Sequence, residues 1–177
     1  MTTRRTAAPA AHSGATSPTL AAIARDAVSA LARRLQDSFA AVVQNGNPAP
    51  VHDARVAIRR ARCALKLFAS AFAETPCRRL RRDLQELAGA LSPLRDLDVL
   101  AEHIQEHYRS VPATRQSRSQ IAARIAALRA PAQAAASALL RSPRATAAVR
   151  MLASLARTPT MAGNAAPPRV IPDGARL

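Results

Sequence analysis

The stretch "VHDARVAIRRAR", Val51 to Arg62, decides how the chain is read. His52, Arg55, Arg59, Arg62 and then Lys66 recur at alternating steps of three and four, the spacing a helix gives to its buried seam. At about 100° per residue these five side chains fall within an arc of roughly 80°. Val51, Ala54, Ile58, Ala61, Leu65, Phe68 and Phe72 lie on one side of that arc, and Val56, Cys63 and Leu67 on the other. Asp53 and Arg60 stand nearly opposite. A solvated charged face normally borders water, so cations with apolar neighbours on both sides raise two readings. If both flanks pack on neighbouring helices, the stripe lines a groove or cavity, and an anionic ligand relieves the repulsion among its charges. Alternatively, the stripe lies on an open surface and long side chains carry its charges into water.

Outward from this helix, the sequence predicts an all-α protein, an antiparallel bundle of about six helices with disordered N- and C-terminal tails. The first helix starts at about Pro18 and runs to Gln44, carrying Leu20, Ile23, Val28, Leu31, Leu35, Phe39 and Val42 at helical spacing; Asn45-Gly46-Asn47-Pro48 ends it. The second spans about Val51 to Ala73. Thr75 as N-cap and Pro76 in the first turn open a third, striped by Leu80, Leu84, Leu87 and Leu91. Ser92 and Pro93 then restart the chain as a fourth helix to Tyr108, with Asp96 and Asp98 near its positive end. After a break around Pro112, a fifth runs from Arg115 to Leu140, bent or interrupted near Pro131, and Ser142-Pro143 opens a sixth to Ala156. Residues 1–17 form a disordered leader, 18–156 the bundle and 157–177 a disordered tail rich in Pro and Gly.

Composition narrows the function classes. Of 177 residues, 49% are hydrophobic and only 2% aromatic, so the core is built from small and medium aliphatic side chains. The formal net charge is +15 and the pI 11.8, which directs attention to a polyanionic partner. Lys66 is the single lysine among 26 basic residues. Arginine suits phosphate because its planar fork binds oxygens in pairs, although a GC-rich genome also raises arginine content. Cys63 and Cys77 have no metal-ligand or disulfide spacing and are expected to be reduced thiols. His103 and His107 are one helical turn apart but lack a third ligand, so no metal is assigned. No segment has signal-peptide or membrane-span character, and neither a membrane partner nor a cofactor is expected.

Taken together, "VHDARVAIRRARCALKLF" and "LRRDLQELAGALSPLRDLDVL" resemble the two signatures of the CHAD family, the conserved histidine α-helical domain. The resemblance covers roughly Ala21 to Leu155. It implies a helical bundle that binds inorganic polyphosphate without catalysis, with His52, Arg55, Arg59, Arg62 and Lys66 along the anion path and Arg78, Arg82 and Arg95 as secondary contacts. Family members pair two such bundles around a shared basic cavity, whereas the helical pattern here ends after the first repeat. The resemblance therefore also implies a half module, with a homodimer restoring the missing half, and a cytoplasmic protein, bacterial in character, associated with polyphosphate granules. Non-specific binding to nucleic-acid backbone is the alternative, disfavoured by the scarcity of aromatic side chains; a fragment without independent function is another. A phosphohydrolase using Asp96 and Asp98 as magnesium ligands lacks a second acidic cluster.

Overall fold

The computed structural model describes residues 19–111 and 114–157. The expected leader, the break at Pro112 and the tail beyond Arg157 lie outside the described residues. The described residues form five helices: α1 (Leu20–Asn45), α2 (Pro48–Leu67), α3 (Glu74–Ser110), α4 (Arg115–Leu140) and α5 (Pro143–Arg157), with a 3₁₀ turn at Ala69–Ala71. The described residues contain no strand, and no helix among them is long and apolar enough to cross a membrane.

Local chemistry sets most boundaries. Thr19 accepts a hydrogen bond from the Ala22 amide (3.2 Å) at the start of α1, Thr114 accepts from Ser117 (3.1 Å) at α4, and Ser142 accepts from Ala145 (3.3 Å) at α5. α2 begins earlier than expected because Pro48 occupies its first turn. It also ends earlier. Past Leu67 the backbone tightens into the 3₁₀ turn, which carries Phe68 and Phe72 inward, both buried.

The expected third and fourth helices are one. α3 passes through Pro93 without a break, so the described residues form five helices, close to the expected number of about six. Proline removes an amide donor and presses on the carbonyl four residues back, here Gly89. Both Pro93 and Gly89 are exposed, while Leu87, Leu91, Leu94 and Asp98 on the opposite face are buried, so continuous packing holds the helix across the defect. Ser92 does not cap a new helix: its hydroxyl donates back to the Ala88 carbonyl (3.2 Å). Asp96 and Asp98 consequently sit inside a helix, away from any positive end. Pro131 likewise lies within an uninterrupted α4.

In cross-section, α1, α2, α3 and α5 form a ring in which each packs on the next, and α4 lies along α3 and reaches α1 and α5. The α2/α3 edge is therefore opposite the α1/α5 edge. The centre is filled by fully buried Leu35, Ile58, Leu65, Leu80, Leu84, Leu87, Leu91, Leu94 and Leu152, with valine and alanine between them.

A polar knot closes one end of this ring. Asp98 of α3 is buried and accepts from Arg129 Nε of α4 at 2.7 Å; Arg129 also donates to the Gly46 carbonyl at the end of α1. One turn along α4, Gln133 donates to the Val42 carbonyl (2.9 Å) and the Ser137 hydroxyl (3.0 Å). Gly46 adopts φ +56°, and a β-carbon there would collide with the Gln133 amide. Gly46→Ala thus combines left-handed strain of about 1 kcal/mol with displaced hydrogen bonds worth about 1 kcal/mol. A destabilisation of about 2 kcal/mol is expected in urea unfolding; an unchanged midpoint would contradict this packing.

Candidate anion-binding groove

The basic stripe rises from an ordinary helical cause. The arc containing Val51, Ala54, Ile58, Ala61 and Leu65 is buried against the bundle, which fixes the rotation of α2 and leaves the adjoining arc at the core's edge. Arg55 and Arg62, nearest the buried arc, are half-buried, whereas His52, Arg59 and Lys66 are exposed. Of the two readings, the open one holds among the described residues. Leu67 is 76% exposed, Cys63 is exposed and Val56 is half-buried, because none of the described helices covers that side of α2. The stripe therefore lines an open groove instead of an enclosed cavity.

This groove, of about 570 Å³, runs between α2 and α3. His52, Arg55, Arg59 and Arg62 line it from α2; Gln85, Ser92, Arg95 and Asp96 are among its α3 residues. Arg55 fixes the register, donating from Nη1 to the Ser92 hydroxyl (2.6 Å) and the Ala88 carbonyl (3.2 Å). Because the helices are antiparallel, moving along α2 toward Arg62 corresponds to moving back along α3 toward Gln85. On the other side of α2, His52 and Arg59 also line a hollow of about 680 Å³ against α1, where Asp37 and Asp53 dilute the positive charge.

The sequence-derived residues separate by position. His52, Arg55, Arg59, Arg62 and Arg95 meet in the groove; Lys66, Arg78 and Arg82 do not line it. Those three are exposed toward the end where α2 finishes and α3 begins, and Arg78 is 3.9 Å from Glu74 with both side chains largely in solvent. Arg95 is occupied by Glu102 (3.1 and 3.4 Å). Two groove residues were not legible in the sequence: Ser92, expected as a helix cap, anchors Arg55, and Gln85 lies in the wall. Both follow from α3 running as one helix through Pro93. Arg81 acts on Cys77, whose thiol is pushed up by burial while the guanidinium partly opposes the shift.

Electrostatics distinguish the stripe from the arginines that tie the helices together. Arg129 holds Asp98, and Arg144 bridges Asp83 (3.0 Å) and Glu86, tying α5 to α3. None of His52, Arg55, Arg59, Arg62 and Lys66 has a carboxylate within 4.0 Å among the described residues. Arg62 Nε is buried and has no hydrogen-bond partner. A desolvated guanidinium N–H without an acceptor is costly, and the groove beside it is where an acceptor would enter. No group of three potential metal ligands occurs among the described residues; His103 and His107 are exposed. Cys63 and Cys77 are free thiols.

Comparison with known proteins returned no curated protein and no solved structure that matches. The model of the CHAD domain family matches residues 6–177, from before the first helix to the last residue of the sequence. With nearly its whole length matched, and with the His52–Arg62 helix set in a helical bundle, the chain belongs to the CHAD domain family.

Proposed function

We propose that this protein binds inorganic polyphosphate without transforming it, along the groove between α2 and α3. The observation that carries the reading is the run of groove-lining cations without carboxylate partners, ending at the orphaned Nε of Arg62. Membership of a family associated with polyphosphate binding supports the same ligand class. A linear phosphate chain offers closely spaced anionic oxygens for the Arg59 and Arg62 forks and for a ring N–H of His52, with Arg55 anchored on Ser92. At Arg55 and Arg62, the half-buried members of the stripe, the apolar wall behind strengthens a phosphate contact by limiting water access. In a cell this activity would place the protein at polyphosphate granules.

Two measurements test the reading. Labelled polyphosphate competed with duplex DNA at physiological salt should remain bound at equal phosphate concentration, because the cations converge between two helices instead of lying along one protruding helix face. Equal affinity for both polymers would overturn it in favour of non-specific backbone binding. If three or four phosphates are neutralised, log K should fall against log salt with a slope of about −2 to −3; a slope near zero would exclude electrostatic capture.

A further inference from the structure

The α1/α5 edge, on the far side of the bundle, carries a second basic trough. Two hollows of about 440 and about 390 Å³ lie between these antiparallel helices and join at Gln36 and Val149. Arg141 and Arg150 line the first, Arg25, Arg33 and Arg157 the second, and all five are exposed. Arg150 and Arg157 are seven residues apart, about 10.5 Å along one face of α5. Opposing charge is scarce. Asp26 is the one carboxylate in the lining and is engaged by Arg25 (3.4 Å). The sequence has no Asp or Glu between Glu106 and Asp173, so α5 brings none of its own. Among the described residues, Arg33, Arg150 and Arg157 have no carboxylate within 4.0 Å.

From this arrangement we infer that the α1/α5 trough is a second binding face for a linear phosphate polymer, so that one molecule bridges two polymer segments. The ligand class rests on the reading of the α2/α3 groove; the existence of the face rests on the α1/α5 residues alone. The form of the trough favours a thin, flexible chain over a nucleic acid. A duplex is too wide to enter it, and its one aromatic ring, Phe39, is buried and unable to stack on a base. Ring geometry then makes the molecule bifacial, since the two basic edges cannot engage one short chain at the same point. With long chains, bifacial contact yields cross-linking and a dense phase; with short chains it yields two bound ligands per protein.

The test uses the full chain, isothermal titration with a short linear polyphosphate, and turbidity with a long one. Wild type should bind two short chains and turn turbid with the long polymer. Arg150→Ser/Arg157→Ser should bind one and stay clear; the two contacts it removes correspond to about 1.4 in the wild-type salt exponent of this site. Arg59→Ser/Arg62→Ser should lose the other site and keep this one. A wild-type stoichiometry of one, abolished by Arg59→Ser/Arg62→Ser alone, would overturn the second face and leave the α2/α3 reading standing. Loss of a site only in Arg150→Ser/Arg157→Ser would do the reverse. Displacement of polyphosphate from this face by single-stranded DNA at equal phosphate concentration would overturn the ligand class in favour of nucleic acid.

Discussion

Replacing Arg59 and Arg62 together by serine is expected to weaken polyphosphate binding at the α2/α3 groove by about a hundredfold. Among the described residues neither has a carboxylate within 4.0 Å, so no ion pair there must first be broken. A hydrogen bond to a charged partner contributes about 1.5 kcal/mol at the low end, and two such contacts sum to about 3 kcal/mol, or about a hundredfold in Kd. The measurement is isothermal titration with short polyphosphate in the Arg150→Ser/Arg157→Ser background, which isolates this groove. Thermal stability should hold or rise in the same variant, because two mutually repelling cations leave the stripe. A loss of binding accompanied by a lower Tm would instead assign these arginines to the fold. His52 is a separate case, exposed at the groove's end; its replacement by alanine should cost less than the arginine pair.

The largest stability effect is expected at Asp98. Asp98→Ala leaves Arg129, only about a quarter exposed, without its anion and unties α4 from α3. Breaking a buried pair from one side costs about 3 kcal/mol at the lower end, appropriate here because water reaches the guanidinium. For a domain of this size, Tm should drop by roughly 10 °C. Asp98→Asn retains an acceptor for Arg129 and should lose markedly less. Binding of polyphosphate at temperatures where the variant is folded should be unaffected, since neither Asp98 nor Arg129 lines the α2/α3 groove.

What the sequence made legible follows from which forces act locally. The rotation of α2 was readable because its apolar arc alone determines which side faces the core, and the basic arc follows from it. Caps at Thr19, Thr114 and Ser142 are short-range hydrogen bonds between neighbours in sequence. Pro93 misled for the opposite reason. Its local signal, a serine followed by proline, is that of a helix start, but the leucines and Asp98 packed across it from other helices outweigh the missing amide bond. That misreading placed Asp98 at a helix end and hid its pairing with Arg129, thirty-one residues away in α4. It also hid the α3 wall of the groove.

The sorting of arginines was equally out of reach. Arg95, Arg129 and Arg144 are occupied by carboxylates, whereas Arg59, Arg62, Arg150 and Arg157 are not, and nothing in spacing along the chain separates the two sets. Only the arrangement of helices around the ring does so. The apolar flank at Val56, Cys63 and Leu67 makes the same point: its spacing matches a packed face, and the helix that would cover it is not among those described.

Phosphate is expected to meet arginine in the α2/α3 groove, and guanidinium Nε–Hε signals followed by NMR during titration with short polyphosphate report that contact. Arg59 and Arg62 are expected to shift at the first additions, and Arg62, whose Nε is buried and unpartnered, should gain the strongest protection from solvent exchange. Arg79, Arg109 and Arg124, exposed and outside either trough, should stay in place. Shifts spread evenly over all exposed arginines, with Arg62 unmoved, would contradict a bound chain in the α2/α3 groove.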